Sequence, residues 1–272
     1  GRVMAASPSP SPSRRRARAF AVVPPLAIIA VVVVVWQLYA KLSGIGNDVL
    51  PPPSRVLAVT WENRGDLWAN TLPTLRATLL GFTLSLAVGF LLAVLVDSSA
   101  HLRRALMPVL VATQTLPIFA IAPLMVIWFG FGLTPKVLLV ALVTFFPITV
   151  AFAEGFAASE PEAETLLRSM GASRARIFRT VRFPTSLPFF FAGLRIAITY
   201  AVMAAIFAEY AGASEGLGIY MQNAKNSFRT DLLLAAVLVS ALLTLTLFAL
   251  TYLVERLAIP WYRLSRQGGR RA

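Results

Sequence analysis

Six apolar stretches of 20 to 26 residues each dominate this chain: Phe20–Ala40, Ala77–Val96, Leu106–Phe131, Val137–Ala157, Leu187–Ala208 and Leu232–Val254. About 20 apolar residues in a helix cross the roughly 30 Å of hydrocarbon in a bilayer. Hydrocarbon offers no partner for backbone N–H and C=O groups, so such stretches must satisfy them internally, as helices do. The rest of the composition agrees: 14% charged residues and a mean hydropathy of +0.73 exclude an ordinary soluble enzyme and a disordered scaffold alike. The expected fold is an all-α integral membrane protein with six transmembrane helices. Within the third stretch, Pro117 and Pro123 are expected to interrupt the helix. Such a break survives only where protein or water covers the freed backbone groups.

The net charge of +13 resembles that of a nucleic-acid binder, but the arginines sit in short segments between apolar stretches. That distribution fixes membrane orientation instead. With the N-terminus inside, one side collects 17 basic residues and the other 7, with Arg195 inside a span. Both termini are therefore expected on the cytoplasmic side, and no nucleic-acid partner is expected. Residues 1–19, Ser/Pro-rich and then Arg-rich, are read as a mobile cytoplasmic arm, and residues 259–272 as a basic cytoplasmic tail. A signal peptide is the competing reading of the first stretch, but 21 residues exceed a usual apolar signal core and no small-x-small cleavage site follows.

Two stretches carry small residues every fourth position: Gly81, Ser85, Gly89 and Ala93, then Gly193, Ala197, Ala201 and Ala205. In lipid, such stripes let helix backbones approach closely. Motifs for chemistry are missing. The chain has no cysteine, a single histidine (His101) and no G-x-x-x-x-G-K-[ST] loop, so metal ligation, thiol catalysis and ATP binding are not expected of it. No catalytic residues are assigned.

The most informative segment joins the fourth and fifth stretches, residues 158–186. Glu160, Glu162 and Glu164 open a short helix there, and Arg168 complements its C-terminal dipole. Gly171 is placed to end that helix in the left-handed conformation. Ser173 is placed to cap a second short helix through Phe178 and Val181, which Pro184 stops. Leu166, Leu167, Met170, Ile177 and Phe178 are apolar residues on the aqueous side, which points to a docking surface.

This segment resembles the EAA loop of the permease subunits of binding-protein-dependent ATP-binding-cassette importers. The likeness is strongest at Arg168-Ser169-Met170-Gly171-Ala172-Ser173, at Arg176-Ile177-Phe178-Arg179 and from Pro184 to Pro188. Aligned on Gly171, the family's Glu-Ala-Ala falls on Thr165-Leu166-Leu167, and Glu164 stands one place early. Further likeness lies at Leu50-Pro51-Pro52-Pro53-Ser54, Leu116-Pro117-Ile118, Phe191-Ala192-Gly193-Leu194-Arg195, Ala208-Glu209 and Gly216-Leu217-Gly218.

The resemblance implies a type I importer fold in a bacterial cell membrane and a coupling helix–turn–helix. ATP and magnesium would be bound by a separate ATPase, present in two copies. The other implied partners are a second permease copy, as a homodimer, and an extracytoplasmic solute-binding protein. It makes Glu164, Leu166, Leu167, Arg168, Met170, Gly171, Ala172, Ser173, Ile177 and Phe178 the candidate ATPase-docking residues. The wording of the loop is similar to the branch importing pyrimidine precursors and riboflavin, with sulfonate, taurine and nitrate importers as the alternative.

For the translocation pathway the candidates are Gln114, Thr115, Phe119, Tyr200, Glu209 and Met221. They are polar or aromatic groups, with the thioether of Met221 as a group able to stack on an aromatic ligand, within or beside spans. Arg195 is read as meeting a structural partner or an inward-facing cavity rather than the substrate. Gly212, Gly216 and Gly218 are read as an outer turn leading to an amphipathic segment through Tyr220 and Phe228. A stand-alone secondary transporter using Glu209 and Arg195 is the competing function.

Overall fold

The structure, a computed structural model, describes the backbone of residues 13–260 and the side chains of residues 24–260. Its elements are helices throughout: α1 (Ser13–Leu42), α2 (Pro53–Glu62), α3 (Arg64–Ser98), α4 (Ala100–Thr113), α5 (Ile118–Phe129) and α6 (Leu133–Ala157). The segment after α6 holds α7 (Pro161–Ser169), α8 (Arg174–Ile177) and a π-helical turn (Phe178–Arg182). Then come α9 (Phe183–Gly212), α10 (Leu217–Asn226) and α11 (Thr230–Ala258).

The helices carry the expected spans, with four differences. Helix α1 begins at Ser13, so residues 13–19 continue a helix where an arm was expected; the remainder of that arm, and all but the first two residues of the tail, lie outside the described residues. Helix α3 starts 13 residues before the expected Ala77, because Leu67, Thr71 and Thr74 give its first turns a buried face. The third stretch is two helices, α4 and α5, bent by 95°. The break falls at Pro117 alone, which caps α5 with an extended backbone, whereas Pro108 and Pro123 lie inside helices. The fourth difference is at Pro184. It starts α9 instead of ending the preceding helix, since a proline in the first turn needs no N–H partner. A proline here cannot donate to the carbonyl four residues back, Thr180, and the backbone before it runs as the π turn.

Helices α3, α6 and α9 form the core, and both small-residue stripes are buried in it. A Cβ on Gly81 would lie 2.5 Å from Val140 Cβ, and one on Gly193 would lie 2.3 Å from Ala151 Cβ. Only glycine allows those backbones to close. At the α7 end the core is aromatic: Phe152 stacks on Phe190 at 4.5 Å, and Phe156 meets Phe178 at 5.3 Å. Large apolar side chains on α1, α5 and α11 remain exposed, as expected of faces turned to lipid or to another membrane protein.

Candidate functional site

Helix α7 and the turn after it have the local structure that the sequence dictates. Glu162 and Glu164 lie in the first turn and Arg168 in the last, complementing the helix dipole. Gly171 adopts φ +78°, and its neighbours close the helix with Gly171 N–H to Arg168 O and Ala172 N–H to Leu167 O bonds. Ser173 Oγ accepts the N–H of Arg176 at 3.3 Å and caps α8.

The ten docking candidates divide by exposure. Leu166 and Met170 stand out at 62% and 74% exposure, with Arg168, Gly171 and Ser173 also on the surface and Leu167 and Ala172 half-buried. Leu166 also lines a shallow depression with Pro161, Glu162 and Thr165. Large apolar side chains exposed next to one another, on and directly after a short helix outside the long apolar ones, are the kind of patch at which partners dock. Ile177, Phe178 and Glu164 turn the other way. Ile177 is buried, and Phe178 belongs to the aromatic core. Both are apolar residues serving their own bundle rather than a docking face.

Glu164 is held inward by three groups. Its Oε1 accepts from Ser159 Oγ at 2.5 Å and from Arg182 Nε at 2.8 Å, and its Oε2 lies 3.8 Å from Arg168 Nη2. The Arg182 hydrogen bond, then that of Ser159, holds the Glu164 carboxyl below the usual carboxylate range. Arg182 in turn pairs with Asp97 at the end of α3. Asp97, Ser159 and Arg182 were not marked by motif. A signal for Asp97 exists, because it is the sole acidic residue between Asp66 and Glu154 and closes an apolar stretch.

The pathway candidates fall into two places. Gln114 and Tyr200 face one cleft of about 510 Å³ between the α4–α5 break, α6 and α9, with Phe146 and Met203 in its walls. Thr115 and Phe119 are exposed beside it. Glu209 and Met221 lie elsewhere. Met221 is buried among Val59, Leu67 and Leu217. Glu209 is fully buried; it accepts from Thr74 Oγ1 at 2.8 Å and from Gly218 N–H at 2.7 Å. Leu217 N–H donates to Thr74 Oγ1 at 2.9 Å and Gly216 N–H to Asn70 Oδ1 at 3.0 Å. Glu209 thus closes the start of α10 onto α3 instead of facing the cleft. Arg195 pairs with Glu255 of α11, the structural partner of the two expectations.

Residues 85–263 match the family described as "Binding-protein-dependent transport system inner membrane component". The chain belongs to this family. It is similar to the riboflavin transport system permease protein RibX of Chloroflexus aurantiacus, 38% identical over 84% of this chain and 86% of the relative. The formylaminopyrimidine transport permease protein ThiX of Halalkalibacterium halodurans is 34% identical over 87% of this chain and 95% of its own. The taurine transport system permease protein TauC of Escherichia coli matches at 31% over 86% and 88%. A solved amino acid ABC transporter superposes with a TM-score of 0.60 at 19% identity, covering 73% of this chain and 97% of that one. The chain is a multi-pass permease subunit of a bacterial ABC importer with the type I fold, and the family implies ATPase and binding-protein partners.

Proposed function

We propose that two copies of this chain form the membrane channel of an importer for an uncharged nitrogen heterocycle, such as a pyrimidine or flavin vitamin precursor. Two ATPase subunits dock on α7 from the cytoplasm, and ATP and magnesium belong to those subunits. Both termini lie on that side, a placement that the arginine distribution supports. The observation that carries the docking is the pair Leu166 and Met170, exposed on and directly after a helix whose Glu164 is turned inward. Docked ATPases close on ATP, displace α7 and tilt the helices behind it, so that the passage opens alternately to either face.

The passage follows the cleft at the α4–α5 break. Gln114 to Pro117 are non-helical and lie midway along an apolar stretch, so they cannot face hydrocarbon. Gln114 and Tyr200 offer hydrogen bonds there, while Phe146 and Met203 offer flat apolar contact. The cleft lining contains no charged residue. A sulfonate would lose its hydration there without gaining a cation, which favours the heterocycle over the sulfonate branch. The greater similarity to the riboflavin and formylaminopyrimidine permeases points the same way.

The test is affinity purification of the tagged chain from its own host in mild detergent. An ATP-binding-cassette ATPase should accompany it in equal amount and be lost when Leu166 and Met170 are both changed to Asp. The binding protein of the system, screened by calorimetry, should take riboflavin or an aminopyrimidine and not taurine. Purification without an ATPase would overturn the docking, and tight taurine binding would overturn the substrate class.

A further inference from the structure

Helix α7 buries no side chain completely, so apolar packing does not fasten it to the bundle. Its continuation does: α8 buries Ile177, the π turn packs Phe178 against Phe156 and Phe183, and the chain then runs straight into α9. Motion of α7 therefore reaches α9 through the backbone. Helix α3 has no backbone connection to this segment; it meets it through apolar packing, Phe90 lying edge-on 6.2 Å from Phe183, and through polar groups. Among the described residues, the ion pair that joins α3 to it is Asp97 with Arg182.

Arg182 occupies the last position of the π turn, directly before α9. One guanidinium holds two carboxylates from two elements, Glu164 of α7 through Nε at 2.8 Å and Asp97 of α3 through Nη1. All three side chains are largely withdrawn from water, at 29%, 13% and 17% exposure. A pair in that setting is screened little by salt. Its planar fork fixes direction as well as distance, which a single-point cation cannot do. π turns within α-helical runs recur at functional sites, and this one aims the side chain at both acids.

We propose that Arg182 is a positioning residue for energy coupling: it makes α3 move with α9 when the ATPase displaces α7. Without it, α7 still docks and drives α9, but α3 is left with only its apolar packing on α6 and α9, follows incompletely, and the passage switches poorly. This rests on α7 being the ATPase-docking helix, and the experiment separates the two claims.

The whole importer, with ATPase and binding protein, is reconstituted in proteoliposomes, and ATP hydrolysis and solute uptake are read together. R182M should keep a full complement of ATPase and hydrolyse ATP within about threefold of wild type, while uptake falls at least about tenfold. R182K should recover uptake in part, because an ammonium reaches one carboxylate well and the other poorly. D97N and E164Q should each lower uptake, and the double variant should be no worse than the worse single one, since both act through one guanidinium. Undiminished uptake by R182M would overturn the proposal, as would hydrolysis and uptake falling in proportion. If R182M fails to assemble, the D97N and E164Q pair decides: additive losses overturn the proposal and non-additive losses support it. Loss of ATPase docking in the wild type would instead sink the docking reading itself.

Discussion

The carboxylate of Glu209 accepts the backbone N–H of Gly218 at 2.7 Å and so seals the first turn of α10 against α9. A Cβ on Gly216 would sit 2.2 Å from Glu209 Cδ, and one on Gly218 would sit 2.4 Å from Ile206 O. Glycine at both positions is what lets the helix start come this close. E209A should lower the thermal midpoint in detergent, each donor left bare costing about 1–3 kcal/mol. G216A should do the same, through both the contact and its φ of +127°. E209Q retains an acceptor and should lose less. Equal midpoints for E209A and wild type would refute this capping role.

Glu164 gives the α7 anchor a pH dependence. Its folded pKa is lowered, with the Arg182 hydrogen bond as the largest cause. The contribution of the ionised group is therefore complete above the ordinary carboxylate pKa. It disappears as the pH falls below that range through the lowered folded value. Limited proteolysis of the 158–182 segment should be slow at pH 7 and accelerate below about pH 4. E164Q should already be cleaved faster at pH 7 and respond less to acid. A wild-type segment with no acid response would contradict the assignment.

Close helix approach predicts a sharp contrast between glycines. G193V adds bulk where even a Cβ meets Ala151 at 2.3 Å, and should destabilise by about 1–3 kcal/mol or more. Gly65, with open space around it and an ordinary helical backbone, should accept alanine with unchanged or slightly raised stability. Thermal midpoints of G193V and G65A in the same detergent make the comparison. Equal tolerance at both positions would show that the α6–α9 contact is looser than described.

Apolar residues of the coupling segment should also separate by phenotype. L166D and M170D alter exposed side chains, so the chain should fold normally and lose its ATPase. I177D places a carboxylate in a buried site and should lower yield and thermal midpoint before any docking is tested. Size-exclusion profiles and ATPase content, measured together, distinguish the two outcomes.

Much of this architecture was legible in the sequence. Apolar length alone marked the spans, because hydrocarbon thickness leaves few alternatives. The stripes of Gly81 and Gly193 marked the close contacts, and Gly171 with Ser173 marked the α7–α8 turn. Direction was harder. Leu166 and Ile177 look alike as apolar residues on the aqueous side, yet one projects outward and the other packs inward. The inward turn of Glu164 depends on Arg182, 18 residues later, and on Asp97 in a different helix, pairings that no helical period encodes. Glu209 was legible as a polar group inside a span, but its partners Thr74 and Gly218 come from opposite sides of it in sequence. The 95° break at Pro117 needed the third dimension, since Pro108 and Pro123 are tolerated inside helices with no such bend.

The most direct measurement is solute uptake into proteoliposomes holding this chain, with and without its ATPase, the binding protein being supplied outside. Accumulation that requires the ATPase and ATP, and that fails in the L166D/M170D double variant, is the predicted result. Uptake by the chain alone, unaffected by ATP or by that variant, would contradict the account and identify a secondary carrier.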